Sequence, residues 1–352
     1  MVRMRKKARW WLVLATVSVA LTGFFGFAIK TYRSYQSVPP DPLIGNKASF
    51  VKDLKEKGLP FSFLAIGDTQ SSERAKKLIQ LGLKNGDPSF MVILGDFVME
   101  PDRWDHRFFL MQMIKEIKPT FPVFLVSGNH DIDYTSMKIK NPERRVTPEI
   151  YESLYGARDF NFIYNNCLFI ICGIDAKNPT HYLNYLQDTL SRKGAGKKYI
   201  FVFTHFPPKG LADYIEGPLS NEEGFFSLLE KYKVTTCFFG DFHGYWRGQR
   251  KGVNLIVSGG GGRLKPSQPR WGKFHHLLSI TVDENIISEH VIVLPGEARS
   301  IGGIVEKETF IHLFPMIQER GWVLYVLFIF FLFWGIYSVK ICLRQFRKRE
   351  RQ

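Results

Sequence analysis

Val126–Asp131 reads VSGNHD, an apolar run that stops at a glycine and delivers Asn129, His130 and Asp131 side by side. Alone, such a segment is a polar turn. Four other apolar runs end the same way: AIGDTQ at Asp68, ILGDFV at Asp96, VFTHFPP at His205, and FFGDFHGYW at Asp241 and His243. Buried strands that all terminate in carboxylate, amide or imidazole groups place them along one rim of a sheet. The carboxyl ends of strands are where open α/β sheets bind ligands.

Between these runs the pattern alternates. Apolar stretches at 61–68, 90–96 and 121–129 are separated by helical patterns over 71–84 and 103–117. Further stretches at 160–175, 197–205, 235–241 and 253–262 enclose helical patterns at 180–192 and 221–232. Strands alternating with helices predict a covered α/β sheet. The stretches 160–175 and 275–294 read as antiparallel pairs, which predicts a second sheet packed on the first. One domain over 59–295 accommodates all of this, and no internal repeat is present.

Asp carboxylates, an Asn amide oxygen and His imidazoles together form a ligand set for divalent transition ions. A carboxylate such as Asp96 can bridge two ions about 3.5–4 Å apart, and such a pair activates water for displacement at phosphorus. The series Asp-x-x, Gly-Asp, Gly-Asn-His-Asp, His and x-x-His over residues 60–294 resembles the calcineurin-like metallophosphoesterase superfamily, including the Gly-rich SGGGGR and the last strand pair. The resemblance implies a four-layer α/β/β/α sandwich with a dinuclear metal site at one sheet edge. By position, it implies that Asp68 and His243 hold one ion, Asn129 and His205 the other, and Asp96 bridges them. A hydroxide bridging the ions would attack phosphorus, and His130 would protonate the leaving oxygen, oriented by a nearby carboxylate. Asp131 either bonds within its own turn or orients His130.

Two positions depart from the family pattern. Asp241 stands where a histidine is usual, and so does Gln70. Three readings follow: both residues ligate through oxygen, making a harder site that favours Mn²⁺ or Fe²⁺ over Zn²⁺ or Mg²⁺; one ion binds tightly and the second arrives with substrate; or the site is a remnant used for binding. Around the rim, Trp104, His106, Arg107, Tyr134, Tyr245, Trp246 and Arg247 read as loop residues, with an Arg available to hold a phosphate oxygen.

The flanks are different in kind. Of the formal net charge of +15 over 352 residues, the segments MVRMRKKAR and KICLRQFRKRERQ at the two ends supply ten. Each adjoins an uncharged apolar run, Trp10–Ile29 or Trp322–Val339, close to the ~20 residues that cross a bilayer as a helix. Basic flanks favour the cytoplasmic side. The expected organisation is a basic N-terminus over 1–9, a transmembrane helix over 10–29, a linker over 30–58, the domain, a tether over 296–320, a second transmembrane helix over 322–343 and a basic tail. Both termini would be cytoplasmic and the domain extracytoplasmic in the cell membrane. A cleaved signal peptide ending near Gly26 and Ala28 is the alternative for the first span. Charge confined to the flanks argues against nucleic acid as a partner. The expected partners are the membrane and a phosphomonoester or phosphodiester, a lipid-linked one among the candidates. The rival reading is a catalytically degenerate binding module of the envelope. Cys167, Cys172, Cys237 and Cys342 show no metal-binding spacing, and Cys167 and Cys172 have opposite facing parity, so a bridge between them is not expected.

Overall fold

The computed structural model describes residues 2–36, 43–52, 54, 58–175, 177–211, 219–265, 269–295, 300–317 and 320–350. The chain forms two compact units, residues 39–300 and the two ends, 1–38 with 301–352.

The central unit contains two sheets. The first runs β11-β10-β1-β2-β3, built from β1 (Phe61–Ile66), β2 (Phe90–Ile93), β3 (Val123–Leu125), β10 (His276–Val282) and β11 (Ile287–Val293). The second runs β4-β5-β6-β7-β9-β8, from β4 (Phe160–Tyr164), β5 (Cys167–Cys172), β6 (Tyr199–Thr204), β7 (Thr236–Phe239), β8 (Tyr245–Arg250) and β9 (Val253–Ser258). β1, β2 and β3 are mutually parallel, as are β5, β6, β7 and β9. Both expected antiparallel pairs form, but in different sheets. β4–β5 edges the second, whereas β10–β11 completes the first against β1.

The near-continuous apolar strands follow from burial on both faces. In β1, Phe61, Phe63 and Ala65 point into the space between the sheets, while Leu64 and Ile66 face helices Glu73–Lys84 and Arg103–Met111. In β6, Phe201 and Phe203 point inward while Ile200 and Val202 face helices His181–Lys193 and Glu222–Lys231. The result is the α/β/β/α layering. The inner layer is dominated by phenylalanine, with the Phe63 ring 5.2 Å from Phe90 and 5.6 Å from both Phe169 and Phe201. Cys167 belongs to this inner layer and Cys172 to the outer one, and all four cysteines are free.

Several boundaries differ from the sequence reading. Residues 43–52, expected as linker, are docked on the domain: the Asn46 side chain bonds the backbone of Leu125 and Ala157. Trp104, His106 and Arg107 lie not on a loop but on a helix capped by Asp102, within the 103–117 segment whose pattern is helical, and His106 is buried. Tyr245, Trp246 and Arg247 lie in edge strand β8, not on a loop, and Arg247 pairs with Glu289 at 3.3 Å.

In the other unit, helices Val2–Gln36 and Trp322–Glu350 pack antiparallel, through Trp11 on Tyr337, Phe25 on Phe331 and an Arg33–Tyr325 hydrogen bond. Segments Arg9–Arg33 and Trp322–Gln345 are long and apolar enough to cross a membrane. The stretch expected as a tether is helical over Ile301–Ile317; residues 296–299 and 318–319 of it lie outside the described residues.

Candidate metal centre

Each expected site residue falls within a few positions of a strand's carboxyl end. Asp68 follows β1, Asp96 follows β2, Asn129 and His130 follow β3, His205 follows β6, and Asp241 and His243 follow β7. The loops are laced together by backbone bonds: Asp68 N–H donates to Gly95 O, Gln70 N–H to Asp96 O, and Gly240 N–H to His205 O. Asp68, Gln70, Asp96, Asp241 and His243 all have positive φ, between 47° and 59°. Two glycines are needed for close approach: a Cβ on Gly128 would strike the Asp96 carboxylate, and one on Gly259 would strike that of Asp68.

The His205 Nε2 is 3.2 Å from Asn129 Oδ1, 3.4 Å from Asp96 Oδ1 and 3.9 Å from Asp241 Oδ1. The His243 Nε2 is 3.5 Å from Asp68 Oδ1. Ligand atoms of Asp68, Asp96 and His205 all lie within 4.8 Å of one another. Gln70 is buried at the same rim. The structure thus brings together Asp68, Asp96, Asn129, His205, Asp241 and His243, with His130 beside them, its Nε2 3.9 Å from Asp96 Oδ2.

The imidazoles share one device. Nδ1 of His205 contacts Leu94 O at 2.8 Å, that of His243 contacts Arg263 O at 2.6 Å, and that of His130 contacts Met99 O at 2.6 Å. A carbonyl only accepts, so each Nδ1 carries the proton and each Nε2 is aimed at the carboxylates. Backbone carbonyls on the far nitrogen are a common way of orienting histidine ligands. The His130 partner is therefore Met99 O, where the family resemblance led us to expect a carboxylate. Asp131 is buried below the rim, accepting N–H bonds from Asp96, Phe97, Val98 and Gly128. It bonds its own turn and the β2 loop, and so fixes the bed on which Asp96 sits.

Electrostatically the cluster is short of positive charge. Both oxygens of Asp68 are buried and accept no hydrogen bond. Burial, reinforced by Asp96 and Asp241 and opposed by His205, pushes its carboxyl well above the usual range. For Asp96, burial is outweighed by the charge and hydrogen bond of His205 and by His130, bringing it down to about 2. His205 is the counterpart: burial disfavours its charge, but Asp96, Asp68 and Asp241 together raise it well above the usual imidazole value. Burial and Asp96 push Asp131 up to about 7, against the N–H donors of Gly128 and Val98. Three carboxyl groups share one rim, and His243 Nε2 faces Asp68 Oδ1 across 3.5 Å. Such a donor set fits divalent cations.

Two features had no sequence signal. Lys138 Nζ bonds Asn129 O at 2.5 Å and Lys265 Nζ bonds Asp241 O at 3.4 Å, bringing cations to the rim from separate loops. His276 meets Ser258 Oγ inside the domain, and burial draws it down to about 4.

The model of the calcineurin-like phosphoesterase family matches residues 61–245, more than half of the chain, and the chain belongs to that family. Among curated proteins no sequence matches it. Among solved structures it is similar to a purple acid phosphatase from yellow lupin seeds (Lupinus luteus), at 17% identity and a TM-score of 0.50, over 68% of this chain and 52% of that one. It thus spans about half of the lupin chain. It is also similar to GAP50, the anchor in the inner membrane complex of Plasmodium, at 16% identity and a TM-score of 0.50, over 68% of this chain and 87% of that one. At these identities the likeness is one of fold.

Proposed function

We propose that the chain is a membrane-anchored, metal-dependent hydrolase of a phosphomonoester or phosphodiester, its domain outside the cytoplasm. The observation that carries this is the convergence of Asp68, Asp96 and His205 within 4.8 Å, with imidazole Nε2 atoms aimed inward by backbone carbonyls. Asp68 and His243 would hold one ion, Asn129 and His205 the other, and Asp96 would be shared. Asp241 lies close enough to His205 to join through oxygen, and Gln70 offers its amide oxygen from the same rim. This oxygen-rich set favours Mn²⁺ or Fe²⁺ over Zn²⁺ or Mg²⁺. Bound ions would supply Lewis-acid polarisation of water and neutralise phosphoryl charge.

The chain's own groups do the rest. His130 is partly exposed, and with Nδ1 committed to Met99 O its Nε2 is the atom that carries a proton to the departing oxygen. Lys138 and Lys265 favour an anionic substrate at the rim. The antiparallel helix pair, with basic residues beyond one end of each apolar run, supports termini on the cytoplasmic side and a domain tethered at both ends. Anchoring of this kind suits an envelope phosphoester, lipid-linked substrates included.

The test is turnover of aryl phosphomonoesters and phosphodiesters by the detergent-solubilised full chain, after chelation and reloading with each ion, beside Asp96→Asn. Metal-restored turnover lost in the variant supports hydrolysis. The fold is also that of the Plasmodium anchor protein, so a chain that neither binds metal stoichiometrically nor turns over substrate would instead be a binding module.

A further inference from the structure

Beside the carboxylate–imidazole cluster lies a recess of about 110 Å³, reached past Asn129 and walled by Tyr134, Ile174, Tyr182, Phe206 and Leu219. It adjoins the candidate metal centre directly. Asn129 Oδ1 is 3.2 Å from His205 Nε2, and the Phe206 ring lies 5.2 Å from the His205 ring. The polar handles of its aromatic walls are already used. Tyr134 Oη donates to Ile174 O and Tyr182 Oη donates to Ser220 O, so both tyrosines offer the recess ring surface. Asp175, at its edge, accepts the backbone N–H groups of Lys177 and Asn178. No lysine or arginine is among its described lining residues.

A phosphoryl group needs cations, which the described lining of this recess does not include and the neighbouring rim supplies. An uncharged group needs apolar walls, which it has. For scale, a closed apolar cavity of about 150 Å³ accepts a benzene ring, so a recess of about 110 Å³ that opens to one side takes a short branched chain, or a ring seated partly in its mouth. We propose that it is the subsite for the organic group of the phosphoester, an aryl or short branched alkyl alcohol joined through its ester oxygen to phosphorus at the cluster. This rests on the hydrolase reading above and adds the class of alcohol. Hydrolysis breaks the P–O bond to that alcohol, which takes up the proton delivered by His130, while water supplies the oxygen left on phosphate.

The experiment compares phenyl and ethyl phosphate across wild type, Ile174→Trp and Leu219→Ala in the metal-loaded full chain. Each ester is referred to its own wild-type rate, so leaving-group acidity cancels. Filling the recess with Ile174→Trp should lower the phenyl-to-ethyl ratio of kcat/KM about tenfold or more, since one methylene in an apolar pocket is worth about 10–200-fold. Enlarging it with Leu219→Ala should raise the 1-naphthyl-to-phenyl ratio, and this arm stands even if the tryptophan variant does not fold. Calorimetric binding of benzylphosphonate against ethylphosphonate should follow the same order. Ratios that stay at wild-type values while all esters are hydrolysed would overturn the subsite and leave the hydrolase reading intact. No turnover of any ester and no metal-dependent phosphonate binding would overturn both.

Discussion

Asp68→Asn is expected to act in opposite directions on the metal-free and the metal-loaded protein. The side chain is fully buried and neither oxygen accepts a hydrogen bond. An unsatisfied buried polar group costs on the order of 1–3 kcal/mol. Asparagine keeps the shape, removes the charge, and brings N–H donors within reach of the His243 Nε2, which lies 3.5 Å from Asp68 Oδ1. The metal-free variant should therefore be more stable than wild type by about 1–2 kcal/mol. At about 2–4 °C per kcal/mol for a domain of this size, that is a rise in Tm of several degrees. With metal the order reverses, because an ion present at a hundredfold over its Kd stabilises wild type by about 2.7 kcal/mol and the variant loses a ligand. Thermal melts in chelator and in Mn²⁺ would show the two curves exchanging places. A chelated wild type that melts above the variant would mean that Asp68 is satisfied by the protein itself, and the cation-seeking character assigned to this rim would be wrong.

Three further outcomes are expected. Asp131→Ala should cost more than about 3 kcal/mol in urea unfolding, and should lower metal stoichiometry, because four backbone N–H groups lose their acceptor at once; a loss under about 1 kcal/mol would show that water replaces the carboxylate. Burial draws His106 down to about 3, so between its ordinary value of 6.5 and pH 3 only the unfolded chain takes up this proton, and stability falls as pH drops below 6.5. Between pH 7 and pH 5 wild type should therefore lose about 2 kcal/mol more than His106→Gln, and equal losses would contradict it. Phe63→Ala should cost about 3–5 kcal/mol by chemical denaturation, since the ring is fully buried against five others, and a loss near 1 kcal/mol would indicate collapse of the inter-sheet layer around the gap.

The sheets were legible because both faces of the parallel strands are buried. Runs such as 61–66 and 199–204 carry no polar residue that would blur their ends except Ser62 and Thr204. The rim followed from those ends. Edge strand β8 was not legible, since its sequence YWRGQR is half exposed and carries no apolar alternation. Helix Pro148–Tyr155 did carry a signal, Thr147 as N-cap followed by proline at the first helical position. The oxygens that aim the imidazoles, from Leu94, Met99 and Arg263, belong to the backbone, and nothing in residue identity marks them. Lys138 and Lys265 reach the rim from loops whose course is set by tertiary packing, and so do the walls of the recess beside Asn129. The Arg247–Glu289 pair was not legible either, because Glu289, 42 positions later, lies on a strand brought alongside by the fold.

The left-handed backbone at the rim bears on how this protein should be probed. Asp68, Gln70, Asp96, Asp241 and His243 hold a conformation that costs an ordinary L-residue roughly 1–2 kcal/mol, less for Asp and Asn, and almost nothing for glycine. Alanine scanning across this rim would mix two quantities, the lost chemical group and the added backbone penalty, and would assign both to chemistry. A paired scan separates them. The asparagine variant of each aspartate removes the charge and keeps the side-chain shape, and the difference between its alanine and glycine variants reports on conformation. A glycine variant that recovers stability without recovering metal binding would mark a position where shape and chemistry are set by different atoms of the same residue.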